Sequence, residues 1–184
     1  MNIKSSTQVI PIAAAGWTER QQHRQQSACA GLWDLLDVVK DPEVPALSLW
    51  DLGVLQDIVR QDDGEIIVTI TPTYSGCPAL DAMRSDIGKA LEQAGYTRYR
   101  INTRLAPAWT TDWLSPQAHE QLRTYGIAPP CSHCADGMTP DSGISCPQCG
   151  SENTRLISEF GSTACKALFQ CDDCLEPFDY FKRL

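Results

Sequence analysis

VLQDIVRQDDGEIIVTIT, residues 54 to 71, contains two β-rich runs, Val54 to Arg60 and Glu65 to Thr71, parted by Asp62-Asp63-Gly64. In the second run Ile66, Val68 and Ile70 recur at every other position, which predicts a strand with one buried face. The Asp-Asp-Gly turn then closes the two runs into a hairpin. Downstream, Leu80, Met83, Ile87 and Leu91 recur at helical spacing from Pro78 and stop before Gly95, matching the Pro-first, Gly-after asymmetry of helices. A further strand carries Ile101, Thr103 and Leu105 on one face. Ser115 and Pro116 open a last helix that ends at Gly126, and Pro129-Pro130 reads as a linker. Upstream, Ala28, Leu32, Leu35, Leu36 and Val39 predict an amphipathic helix capped by Ser27 and stopped by Asp41-Pro42-Glu43. Residues 27 to 128 therefore read as a compact α+β domain with a mixed sheet and the order αββαβα. Its strand-helix-strand step calls for a right-handed crossover.

Residues 1 to 26 show no apolar period and hold Gln21, Gln22, Gln25 and Gln26, so they are expected to form a disordered tail. The longest apolar stretch, Val9 to Gly16, is short and interrupted by Pro11, so it reads as neither a spanning helix nor a signal peptide. The chain is expected to be cytoplasmic, with no membrane partner.

The texture changes at residue 129. Of nine cysteines, seven fall in residues 131 to 184, where aliphatic side chains are few and a metal would have to supply the staple that apolar burial cannot. Cys146-Pro147-Gln148-Cys149-Gly150 and Cys171-Asp172-Asp173-Cys174 are two knuckles with 21 residues between them. Four thiolates at this spacing predict a closed tetrahedral zinc site, structural in kind. Thr154 to Ser158 and Cys165 to Gln170, joined by Phe160-Gly161-Ser162-Thr163, read as the hairpin of a zinc ribbon over residues 129 to 184. Cys165 is separated from Cys171 by about 20 Å of extended strand, too far to share one metal, and reads as a small buried residue on the face of Ala167, Phe169 and Cys171. Cys131-Ser132-His133-Cys134 is a third pair, a candidate for additional metal binding that Cys165 could join.

With 23 acidic and 15 basic residues the formal net charge is −8, and the ribbon segment itself carries eight acids against four bases. Such a surface repels phosphate, so no nucleic-acid partner is expected and the ribbon reads as a protein-docking module. Cys77, directly before Pro78, is placed at a helix start where free N–H groups favour a thiolate, so a lowered thiol pKa is expected. Thr71, Thr73, Tyr74 and Ser75 offer hydroxyls to that thiolate or to a bound cluster. His23, His119 and His133 all lie away from Cys77 in sequence, so no base is evident for a cysteine hydrolase.

Asp41-Pro42-Glu43, Asp51-Leu52-Gly53 and Thr71-Pro72-Thr73-Tyr74-Ser75-Gly76-Cys77-Pro78 together resemble the metal-sulfur cluster assembly family over roughly residues 30 to 115. Pro107-Ala108-Trp109-Thr110-Thr111-Asp112-Trp113, Tyr125-Gly126-Ile127, Phe160-Gly161-Ser162-Thr163-Ala164-Cys165-Lys166-Ala167 and Glu176-Pro177-Phe178-Asp179-Tyr180-Phe181-Lys182 extend the likeness to one branch. That branch is the D subunits of bacterial phenylacetyl-CoA epoxidase (ring 1,2-monooxygenase) systems. The resemblance implies that Cys77 handles a transient iron-sulfur cluster or iron, with Thr73 and Ser75 beside it and Asp51 a lesser candidate. It also implies that Cys146, Cys149, Cys171 and Cys174 hold zinc. As partners it implies the oxygenase and reductase subunits of the epoxidase and the iron-sulfur assembly machinery, and it leaves a homodimer open. The chain lacks a diiron Glu-x-x-His pattern and a nucleotide loop, so it reads as neither oxygenase nor reductase and not as an enzyme by itself. A maturation factor is the leading expectation. A stoichiometric docking component is the second, and a thiol enzyme the third.

Overall fold

The structure, a computed structural model, describes residues 16–131 and 143–184. Cys134, His133 and the N-terminal stretch to Ala15 lie outside the described residues, and with them the expectations that fall there. The first sheet has the order β1-β2-β3, from β1 (Leu55–Arg60), β2 (Ile66–Ile70) and β3 (Tyr99–Thr103). β1 and β2 are antiparallel, with Ile58 opposite Val68 and Arg60 opposite Ile66, and Gly64 supplies the positive φ of 85° that the turn requires. β2 and β3 are parallel, joined through α3 (Leu80–Gln93). Met83, Ile87 and Leu91 of α3 close on Ile66, Val68 and Ile70, while α2 (Ala30–Leu36) adds Leu32, Trp33 and Leu36 to the same core. The last helix, α4 (Pro116–Tyr125), starts on a Ser115 cap and stops at Gly126 with φ 92°.

Trp17–Gln26 differs from the expected disordered tail, for it forms a helix, α1. Polar and charged side chains anchor it: Arg24 pairs with Asp34 (2.8 Å) and Asp37 (3.3 Å), His23 bonds Asp57 (2.8 Å), and Arg20 enters the core. Arg20, 5% exposed, donates to the carbonyls of Trp113 (2.5 Å), Leu55 (2.9 Å) and Trp50 (3.1 Å), and its guanidinium lies 4.2 Å from the Trp50 ring centroid. Trp17 packs on Trp50 at 5.2 Å. Burial drives the Arg20 pKa down to about 9, and the carbonyls and Asp51 offset that cost. The apolar period is silent here because the anchors are polar, charged and aromatic side chains, not an aliphatic stripe.

The second sheet has the order β4-β7-β6-β5. β5 (Thr154–Ser158) and β6 (Lys166–Cys171) form the expected hairpin, with Thr154 opposite Cys171 and Leu156 opposite Phe169. β7 (Pro177–Phe181) is an added strand antiparallel to β6, and β4 (Ile127–Ala128) pairs parallel to β7. The ribbon sheet thus begins at Ile127, before the Pro129-Pro130 linker. Cys165 and Phe181 leave the ribbon's own core and join that of the α+β domain, where Phe181 meets Trp109 at 6.0 Å. The two parts share apolar packing.

Candidate functional site: a four-thiol ribbon and a buried cysteine at the domain junction

Cys146 and Cys149 sit on a turn where Gly150, at φ 77°, lets its N–H reach the Cys146 carbonyl at 2.9 Å. Cys171 ends β6 and Cys174 lies on the turn that follows, where Leu175 takes the positive φ of 66°. The four sulfurs lie within 4.8 Å of one another, with Cys146 to Cys174 at 3.8 Å and Cys149 to Cys171 at 3.6 Å. Metal–sulfur bonds of about 2.3 Å in a tetrahedron put sulfurs about 3.8 Å apart, so the set fits a thiophilic ion with no open position. The backbone N–H of Cys174 points at the Cys171 sulfur (3.5 Å), and with that of Asp173 it holds the Cys171 thiol down to about 7. Cys149 and Cys174 are raised in the same cluster, Cys174 to about 12, so filling the site with a metal releases protons from the set. Ser151 and Asn153 both bond Asp173 and tie one knuckle to the other.

Cys131 is disulfide-bonded, which withdraws its sulfur from the ligands available to an added metal. Cys165 joins neither the ribbon metal set nor Cys131 but a different neighbourhood, that of Cys77.

Cys77 is 7% exposed and lies before the first turn of α3, which begins at Leu80 because Cys77 to Ala79 still form a turn. Its thiol donates toward Glu43 Oε2 at 3.9 Å, its backbone N–H donates to the Tyr74 carbonyl (3.3 Å), and the Tyr74 hydroxyl is near enough for the two groups to act on each other's ionisation. Glu43 reaches it through the Asp41-Pro42-Glu43 turn. The buried Asp41 carboxylate accepts from the N–H groups of Glu43 and Val44, both at 2.8 Å, and fixes that bend. Lys166, buried at the start of β6, donates to the Glu43 carbonyl (3.4 Å) and pairs with Asp179 (3.3 Å). Cys165 adjoins it, with its sulfur 3.0 Å from the Thr163 hydroxyl.

This environment reverses the expected shift at Cys77. Burial pushes the thiol up to about 11, and Glu43, Asp41 and Cys165 add to it, against a lowering by the Ala79 N–H. The helix-start donor is present and is outweighed by desolvation. Burial also raises Cys165 and Glu43, and carries Tyr74 to about 12. At neutral pH both thiols hold their protons.

Asp51 has structural partners, none of them in the Cys77 group. It accepts from Ser48 Oγ (2.8 Å) and Ser115 Oγ (2.7 Å), bracing the loop before β1 against the cap of α4. Among the described residues the hydroxyl that meets Cys77 is that of Tyr74, whereas Ser75 is exposed and Thr73 half-buried. Glu43, Asp41 and Lys166 join the site without a signal in the local sequence. The Asp-Pro-Glu triplet is sufficient as a helix stop, and Lys166 lies far along the chain.

Residues 30–97 match the family model described as "Iron-sulfur cluster assembly protein", and residues 130–182 match the "PaaD zinc beta ribbon domain". A protein of Escherichia coli K12 provisionally named as the D subunit of 1,2-phenylacetyl-CoA epoxidase is 49% identical over 151 residues, covering 82% of this chain and 90% of that one. The chain belongs to this epoxidase D-subunit family. Within the first domain it is also 33% identical over 89 residues to a Porphyromonas gingivalis protein named "Fe-S protein maturation auxiliary factor", covering 48% of this chain and 84% of that one. A Bacillus subtilis maturation auxiliary factor is 30% identical over 84 residues, covering 45% and 81%. These two maturation relatives carry names of auxiliary proteins, not of catalysts. No helix among the described residues is long and apolar enough to cross a membrane.

Proposed function

We propose that this chain is a maturation factor of aerobic phenylacetate degradation that carries iron, alone or as an iron-sulfur cluster, at Cys77 toward the epoxidase system. The four-cysteine ribbon holds a structural zinc. The observation that carries this reading is a buried thiol, facing Glu43 and Tyr74, that keeps its proton at neutral pH. Such a group is a poor nucleophile, because only the thiolate attacks and Glu43, the carboxylate that accepts from Cys77, is too weak a base to hold the proton of a thiol raised to about 11. A thiophilic metal can displace the proton, so the same group serves as a releasable ligand. Family membership and the relatives named as iron-sulfur maturation factors support the same direction. The oxygenase and reductase subunits are the clients and the iron-sulfur assembly machinery the donor, in the cytoplasm.

The test is the iron and acid-labile sulfide content of the oxygenase and reductase purified from cells that lack this protein or carry Cys77→Ala. Both should be depleted and inactive, and should stay so when the zinc-loaded protein is added back. Recovery on simple mixing would mean a docking component instead.

A further inference from the structure

Phe160-Gly161-Ser162-Thr163-Ala164-Cys165-Lys166 is built more tightly than a hairpin loop requires. Gly161 donates to the Lys166 carbonyl (2.8 Å), Lys166 N–H to the Thr163 carbonyl (3.1 Å), and Lys182 N–H to the Cys165 carbonyl (3.0 Å). A Cβ on Gly161 would lie 2.5 Å from Asp179 Oδ1, so only glycine fits the approach that lets Ser162 and Lys166 both bond Asp179. The outcome of this bracing is the fixed position of one sulfur. Cys165 is 3% exposed and packs in the same core as Cys77, although it belongs to the ribbon. Glu43 and Asp41 act electrostatically on both thiols.

We propose that Cys165 is a second thiol ligand for the cargo of Cys77, so that iron is held across the junction between the α+β domain and the ribbon, with the Glu43 carboxylate as a third donor. This inference rests on the reading of Cys77 as the cargo site. A filler role would ask only for a small apolar side chain. It would not ask for a buried lysine next in sequence whose ammonium reaches the backbone of Glu43, which itself faces Cys77. Lys166 also offsets the charge that two thiolates and a carboxylate would bring into a buried site.

Among the described residues the ribbon thiols alone form a set of three or more such groups within 4.8 Å, so Cys77, Glu43 and Cys165 stand wider apart. A wider set suits a cargo with more than one iron, since sulfurs on different irons are further apart than sulfurs on one. On loading, each thiol gives its proton to water as its sulfur–iron bond forms, and the iron keeps its oxidation state.

The zinc-loaded full chain is incubated anaerobically with ferric citrate and sulfide, desalted, and assayed for iron, sulfide, zinc and the thiolate-to-iron absorption band. Wild type should retain iron. Cys77→Ala and Cys165→Ala should each weaken retention by about tenfold or more, with zinc unchanged, and Cys29→Ala should behave as wild type. Cys165→Ser keeps the volume of the side chain and replaces a good iron ligand with a poor one, so it should lose iron even if the alanine variant misfolds. Wild-type retention in Cys165→Ser together with loss in Cys77→Ala would overturn the second ligand and leave the Cys77 reading intact. Retention in both variants, or no iron in wild type, would overturn both.

Discussion

Cys77 differs most from what its local sequence suggests. A thiol before a proline at a helix start should be acidic, yet burial in the core, with Glu43 adding to it, pushes it up to about 11. Because the thiolate alone is alkylated, iodoacetamide labelling of Cys77 should be slow at pH 7.5, slower than that of half-exposed Cys29. It should go on rising beyond about pH 10, where an unperturbed thiol levels off. A labelling rate that levels off by about pH 10, read by mass spectrometry, would contradict the burial argument. The same shift has a sign for stability. The folded state keeps a proton that the unfolded state gives up near pH 9, so this group's stabilisation is present below pH 9 and is lost as pH rises toward about 11. Asp51 is argued as a brace. Asp51→Ala removes the acceptor of Ser48 and Ser115 and should cost about 1 to 3 kcal/mol in urea unfolding, with iron retention at Cys77 preserved. Loss of iron at unchanged stability would return Asp51 to the cargo site.

At the scale of elements, the parts that follow a local rule are legible in the sequence. The hairpin of residues 54 to 71 shows through alternation and an Asp-Gly turn, and α4 through its Ser-Pro start and Gly stop. Two elements are not legible. Helix α1 is held by Arg20 on three carbonyls from remote parts of the chain and by Arg24 on Asp34 and Asp37, and β7 contains a proline and an aspartate that disguise a strand. Arg20→Met should therefore unfasten α1. We expect a loss of about 2 to 4 kcal/mol, since three buried carbonyls lose a charged donor, and proteolysis within Trp17–Gln26 under native conditions. Unchanged protease resistance would show that the Arg24 pairs and Trp17 on Trp50 are sufficient. The candidate site divides the same way. The four ribbon thiols are legible from spacing, whereas Glu43 reaches Cys77, and Cys165 enters the same core, only through the tertiary fold.

In the molecule as a whole one strand, β6, runs from the neighbourhood of Glu43 to the ribbon thiols, with Cys165 directly before it, Lys166 at its start and Cys171 at its end. Phe181 and Cys165 also place ribbon residues in the core of the α+β domain. Loss of the ribbon metal should therefore reach beyond the ribbon. Cys171→Ser should lower the unfolding temperature of the entire chain in a single calorimetric transition, while two separated transitions would mean that the shared core carries little energy. The central claim is that the chain holds one permanent metal and one transferable one. The most direct measurement is the metal and acid-labile sulfide content of protein purified anaerobically from cells, as wild type and as Cys77→Ala, before and after a mild chelator. The account predicts one zinc that resists the chelator in both proteins, and iron that the chelator strips from wild type and that Cys77→Ala lacks from the start. Iron at the wild-type level in Cys77→Ala would contradict it.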